Sequence, residues 1–400
     1  MEHNKLIFSK VPTLRFADYT DEWHKYALSD FVTRITRRNK NNESSLPLTI
    51  SAQYGLVDQI TFFNKTVASV DLSGYYLLYN GDFAYNKSYS NDYAWGAVKR
   101  LDKYEKGCLS SLYFVFRPTD KVDSDYLTHY FETNKWHKGI SDIAGEGARN
   151  HGLLNMAVDD YFATKHYLPS LSEQKKIACF LNLITKRIEI QNKIISKYET
   201  LIKGLSCDYF SKQPNHIAKL KDLIIKGKAG GTPSSTIAEY YNGNISFLSI
   251  SDMTRQGKYV EFTEKHISEN GLANSSAWIV PSNSLILSMY ASVGLVCINK
   301  VPLATSQAMF SMVLKDCNML DYIYYYLNFF RETQIHRLLE TGTQSNINAD
   351  TVRDIEIPFY SNILVFVKTL QAIENRLNNE KDMLSRLMDL KTYLLSSLFI

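Results

Sequence analysis

Apolar side chains recur along this chain in two long patterns of alternating four- and three-residue spacing, set among stretches of a different kind. The first runs through Ile177, Leu181, Ile184, Ile188, Gln191, Ile195, Tyr198, Ile202, Leu205 and Tyr209. This spacing puts all ten on one stripe of an α-helix, the seam of a coiled coil. The second runs through Phe366, Leu370, Ile373, Leu377, Glu380, Leu384, Leu387, Lys391, Leu394 and Leu398, each 189 residues after its counterpart, and the polar seam position Gln191 falls on Glu380. Just before each helix stands a proline, Pro169 in YLPSLSEQ and Pro358 in EIPFYSNI, with Ser172 and Ser361 placed as N-caps.

The sequence ahead of each helix is duplicated more loosely. Leu28-Ser29-Asp30 followed by FVTRITRRNK matches Leu220-Lys221-Asp222 followed by LIIKGKAGGTPSS. GDFAYNKSYSNDYAWGAV and SNSLILSMYASVGLVCI both read as strand, polar aromatic turn, strand, and CLSSLYFVFRP answers LATSQAMFSMVLK. A helical stretch follows in each half (SDYLTHYFETNKWHKGI, LDYIYYYLNFFRETQIHRLL). Then comes a Gly- and Asn-containing loop, Ala144-Gly145-Glu146-Gly147-Ala148-Arg149-Asn150 or Thr341-Gly342-Thr343-Gln344-Ser345-Asn346.

A helix of about 33 residues is roughly 50 Å long and cannot bury its seam against one small domain. Two such helices can bury it against each other. An antiparallel pairing would put the domains at opposite ends of a rod and bring the Gln191 and Glu380 layers together, where a polar layer fixes register. The expected fold is α+β: two tandem mixed α/β domains joined by two long helices in an antiparallel coiled coil, with pseudo-twofold symmetry. The boundaries fall at 1–168, 169–212, 213–357 and 358–400.

Composition adds bounds. Four hundred residues, 45% hydrophobic, suit two to three domains with their own cores. The start, MEHNKLIFSK, lacks an apolar signal core, and the apolar run at 320–330 is broken by Asp321 and Asn328, so a cytoplasmic protein with no membrane partner is expected. The five cysteines (108, 179, 207, 297, 317) form no CxxC pair, pointing to buried reduced thiols rather than a disulfide framework or zinc site. A net charge of +4 permits nucleic-acid binding but leaves it to local clusters.

No phosphate-binding loop, dinucleotide turn, Asn-Pro-Pro-Tyr or Asp-Pro-Pro-Tyr motif or His-x-x-x-His pair is present, so no catalytic or metal residue is expected. DNA-reading chemistry is present in the loops, where cations suit phosphates and polar side chains suit base edges. In the first half the candidates are Arg34, Arg37, Arg38 and Lys40, then Tyr85, Asn86, Lys87 and Ser88, then Arg149 and Asn150. In the second they are Lys226, Lys228, Gly231, Thr232 and Ser234, then Tyr290 and Ser292, then Thr343, Gln344, Ser345 and Asn346. Glycines in GGTPS and GTGTQSN would let backbone N–H groups approach a phosphate. Solvated faces and ordinary tight turns account for the same residues.

The Leu-Pro-Ser-Leu-Ser-Glu-Gln-Lys-Lys-Ile run at 168–177, the seam helix after it, Gly-Gly-Thr-Pro-Ser at 230–234 and the duplicated layout resemble the specificity subunits of type I restriction-modification systems. That resemblance implies two target-recognition domains, residues 15–168 and 215–357, each reading half of a bipartite site in double-stranded DNA. It implies spacer helices 172–210 and 361–399 that set the unread gap and dock two modification subunits. S-adenosylmethionine would belong to those subunits, ATP and Mg to separate restriction/translocase subunits, and no cofactor to this chain. The second helix departs from the pattern, with Ser361-Asn362-Ile363-Leu364 where the first has Ser172-Glu173-Gln174-Lys175. The competing readings are a self-contained methyltransferase or nuclease, and a coiled-coil protein scaffold without DNA readout.

Overall fold

The computed structural model describes residues 10–65, 67–90, 92–145, 152–337 and 346–400. Two helices dominate it, Leu171–Phe210 and Ile363–Ser397. Every expected seam position on both is buried or half-buried, Gln191 and Glu380 included. The chain divides into two compact units, Met1–Asn192 with Asp382–Ile400, and Lys193–Lys381, so each unit holds half of each long helix.

In the first unit a four-stranded antiparallel sheet has the order Val32–Arg34, Phe114–Pro118, Phe83–Asn86, Ala97–Arg100. In the second unit the order Ile224–Ala229, Met309–Leu314, Leu285–Ser288, Val296–Asn299 repeats it, extended by the parallel strand Tyr259–Val260. Each domain is closed by a second strand pair, His24–Ala27 with Lys165–Leu168 and His216–Lys219 with Glu356–Phe359. The repeat reaches single bonds: buried Leu28 and Leu220 both start a short helical turn, and their N–H groups donate to Thr164 and Ile355 carbonyls at 2.9 and 2.8 Å. Duplication in the sequence is thus duplication of topology.

The long helices complete the cores. In the first unit Ile177 and Leu181 pack with Leu394, Leu398 and Phe399 in a cluster that includes Trp23, Tyr126 and Tyr130. In the second, Tyr209 stacks on Phe366 at 3.8 Å, beside Leu205, Val367 and Leu370. Within each unit the start of one helix therefore meets the end of the other, the antiparallel sense expected. Each buried Leu or Phe of the seam contributes roughly 1.5–3 kcal/mol.

Two expectations about the helix starts change. The first helix begins at Leu171, and Ser170 rather than Ser172 serves its N-terminus, its Oγ accepting from Glu173 N at 3.4 Å and its carbonyl from Gln174 N at 3.0 Å. Ser361 turns away and donates to Asn215 Oδ1. The Glu-Gln pair is consumed inside its own unit. Buried Glu173 takes a bidentate grip from Arg15, both distances 2.8 Å, while Gln174 Oε1 accepts from Asp123 N and its Nε2 donates to the Pro169 carbonyl. The cysteines also divide: Cys108 and Cys297 are buried, whereas Cys179, Cys207 and Cys317 are exposed.

His166 closes the first unit's core with a defined tautomer. Thr164 Oγ1 donates to the Tyr161 carbonyl, so it accepts from His166 Nε2–H, leaving Nδ1 to accept from the Tyr130 hydroxyl at 2.8 Å. Burial pushes this imidazole down to about 4. The folded state keeps it neutral while the unfolded state binds a proton below its ordinary value near 6.5, so stability falls as pH drops from about 6.5 to 4. Denaturant melts across that window should show a loss of up to roughly 3 kcal/mol attributable to this group, and His166→Gln should flatten the slope. An equally steep slope in the variant would refute the assignment.

Candidate nucleic-acid interface

The candidate residues separate into those the fold uses and those it presents. Tyr85 belongs to the first group. It is fully buried, stacked on Tyr161 at 4.7 Å, and its hydroxyl donates to the Trp95 carbonyl at 2.9 Å, so it is core and cannot reach a base. Asn86 is the last residue of the same strand and, like Lys87, half-buried, so the exposed part of the turn starts at Ser88.

Arg37 is also structural. Its guanidinium donates to Asp82 Oδ2 at 3.0 Å and to the Leu77 carbonyl, and lies over the Tyr79 ring at 4.2 Å. Asp82 is fully buried and holds Arg117 on its other oxygen at 2.6 Å, so the two arginines neutralise one interior carboxylate. Arg38 donates to the Gly74 carbonyl and covers Tyr76. Arg34 and Lys40 are exposed. The run at 34–40 is therefore half internal scaffold and half free cation.

Gly230 and Gly231 serve packing, not a phosphate. A Cβ on Gly230 would lie 2.0 Å from the Thr305 carbonyl oxygen, and one on Gly231 2.2 Å from Ser276 Oγ. Their N–H groups are already spent on the Met309 and Thr305 carbonyls at 3.1 and 2.9 Å. Beyond them Thr232 and Ser234 are exposed, Thr232 donating to Gln307 Oε1 and Ser234 bonded to Thr236. Lys228 is exposed on the edge strand, and Lys226 sits over Trp278 at 4.1 Å.

What the fold does bring together, in each unit, are the two kinds of loop singled out by sequence. In the first, the turn after Asn86 pairs with the segment after the Gly-Asn loop: Leu154 N donates to the Lys87 carbonyl and Tyr89 N to that of Gly152, both at 3.0 Å, with Ser88 bridged to Leu153. Asn86 Oδ1 pins the turn by accepting from Ser88 N, and Lys87 lies over Phe114. In the second, Ile347 N donates to the Met289 carbonyl at 3.1 Å, setting Asn346 beside the turn of Tyr290 and Ser292. Here Ser288 Oγ donates to the Tyr290 and Ala291 carbonyls, holding a turn in which Ala291 and Ser292 both have positive φ, a conformation that costs L-residues energy and concentrates at functional sites. Tyr290 and Ser292 stay exposed. Arg149, Asn150, Thr343, Gln344 and Ser345 lie outside the described residues.

Sequence reasoning missed two groups. Lys10, Lys25, Lys135, Lys138 and Lys165 line one cleft of about 730 Å³ in the first unit, against only Asp142 and Asp160 among its carboxylate side chains. Scattered over more than 150 positions, these lysines form no run a sequence scan would find. Gln307, in the second unit, had no cue beyond its polarity.

Residues 214–381 match the type I restriction modification DNA specificity domain. The chain is 29% identical over 147 residues to the type I restriction enzyme MjaIX specificity subunit of Methanocaldococcus jannaschii, covering 36% of this chain and 34% of that protein. It is 30% identical over 180 residues to the HindI specificity subunit of Haemophilus influenzae, covering 43% and 38%. The matches thus span little more than a third of these relatives' lengths. Among solved structures, a chain from work on complex assembly and conformational transition of the type I R-M system aligns with a TM-score of 0.58 at 16% identity, over 94% of this chain and 97% of that one. The type I S subunit of M. genitalium aligns at 0.56 and 15%, over 98% and 99%. At these identities the structural likeness speaks for the fold.

The Asp82 arrangement predicts that Arg37→Ala lowers unfolding free energy by about 1–3 kcal/mol, since it strips one partner from a buried carboxylate, whereas Lys40→Ala changes stability by less than about 0.5 kcal/mol. Equal stability of the two variants in urea melts would contradict a structural Arg37.

Proposed function

We propose that the chain is a member of the type I restriction-modification specificity family and the DNA-reading subunit of such a complex. Each unit would read one half of a bipartite site in double-stranded DNA, and the long helices would set the gap between the halves and dock two modification subunits. S-adenosylmethionine chemistry would lie in those subunits and ATP- and Mg-dependent chemistry in restriction subunits, with no catalytic centre or cofactor in this chain.

The observation that carries this reading is the repeated stitching of two polar loops at equivalent ends of two sheets that share one four-strand order. A fold that duplicates its core also duplicates one exposed polar edge, as two half-site readers require. Exposed Arg34, Lys40 and Lys228, and the lysine cleft of the first unit, would supply cations for phosphates. No helix among the described residues is long and apolar enough to cross a membrane.

Replacing residues 213–357 with the corresponding domain of another family member, in cells that also make the modification subunits, should change one half of the methylated motif. The other half and the gap length should stay as they were, because the first domain and both helices are kept. Methylome sequencing reads this directly, and simultaneous change of both halves would defeat independent readers. Against the protein-scaffold reading, the assembled complex should bind duplex DNA with a steep salt dependence. Lys226→Ala with Lys228→Ala should weaken binding to all sequences and reduce the slope of log K against log salt by up to about 2. A salt-independent interaction would favour the scaffold.

A further inference from the structure

Three neighbouring strand ends in the second unit converge on one polar row. Ala229 pairs with Phe310 and Ser288 with Met309. Continuing those antiparallel registers past the ladder sets Thr232 opposite Gln307 and Gln307 opposite Tyr290. The bonds agree: Gly230 N donates to the Met309 carbonyl, Met289 N to that of Ala308 at 2.8 Å, and Thr232 Oγ1 to Gln307 Oε1 at 2.5 Å. All three side chains in the row are exposed.

The row is built, not incidental. Gln307 stands in a tight turn closed by Met309 N donating to the Ser306 carbonyl at 3.2 Å and braced by Gly231 N on Thr305. The glycine pair is what lets the edge strand end press against Thr305 and Ser276, and that contact delivers the Thr232 hydroxyl to the glutamine. By donating to Oε1, Thr232 fixes which way the amide faces. One Oε1 lone pair and both Nε2 hydrogens remain for a ligand. An adenine edge in the major groove asks for that pattern, a donor to N7 and an acceptor for the N6 amino group.

We propose that Gln307, oriented by Thr232, is a base-reading residue of the second unit and specifies an adenine in its half-site. This rests on the DNA-reading function proposed above. Thr232 is a positioning residue. At the corresponding register of the first unit, where Tyr85 pairs with Phe114, the same two-residue continuation reaches Leu112, so the two halves carry different side chains at this place.

The test is selection of duplexes from a randomised library by the full chain in complex with its modification subunits, read by sequencing, with thermal melts of each variant. Gln307→Ala should relax one position of one half-site, cutting preference for adenine there by between about 5-fold and 150-fold, and leave the melting temperature and the other half-site unchanged. Gln307→Glu, which can only accept, should move preference at that position toward cytosine. Thr232→Val should relax the same position, and Thr232→Ser, which restores the hydroxyl, should recover it. A wild-type complex that selects a motif while both Gln307 variants select the identical motif overturns the inference and leaves the proposed function standing. A wild-type complex that enriches no motif overturns the proposed function, and the inference falls with it.

Discussion

The constraint on which the rest of the molecule depends is the apolar stripe along the two long helices. Twenty seam positions, almost all apolar, must leave water, and neither domain alone offers a surface that long. The structure meets this by letting each unit take the start of one helix and the end of the other, so the seam is also part of each core: Leu181 with Leu398 in one, Tyr209 on Phe366 in the other. The domains are held to the helices by buried polar ties of different kinds. Arg15 grips Glu173 in the first unit, and in the second Lys258 is shared between Asp321 and Glu374 at 2.7 and 2.8 Å.

A scaffold closed in this way leaves the turns at one end of each sheet exposed. There the chain places its small polar residues and its strained turn, and there the backbone bonds stitch loops distant in sequence into one edge. Interior demands nevertheless reach into these loops. The glycines of GGTPS are required by a protein carbonyl and a serine hydroxyl, and Arg37 by a carboxylate that would otherwise be buried without a partner. Residue types that suit DNA are also those that close turns and neutralise interior charge, so composition alone could not separate the two uses.

The departure at the second helix start finds its reason here as well. Glu173 and Gln174 are occupied by Arg15, Asp123 and Pro169 of their own unit. Their replacement by Asn362 and Ile363 therefore reflects a different way of fastening a helix to its domain, with Ser361 bonded to Asn215 and Ile363 packed in the apolar core.

The sequence by itself determined the periodic features: two seam helices, their 189-residue repeat, the matching order of strands and turns, and the antiparallel sense in which helix starts meet helix ends. Burial has a period, and a period survives in one dimension. Tertiary structure alone decided which polar residues face out. Tyr85 went to the core, Arg37 to Asp82, Gly231 to Thr305, and Gln307, 75 residues from Thr232, became its partner. Such pairings depend on which strand ends lie side by side, and register between strands is fixed by long-range packing, for which no local pattern along the chain encodes a distance.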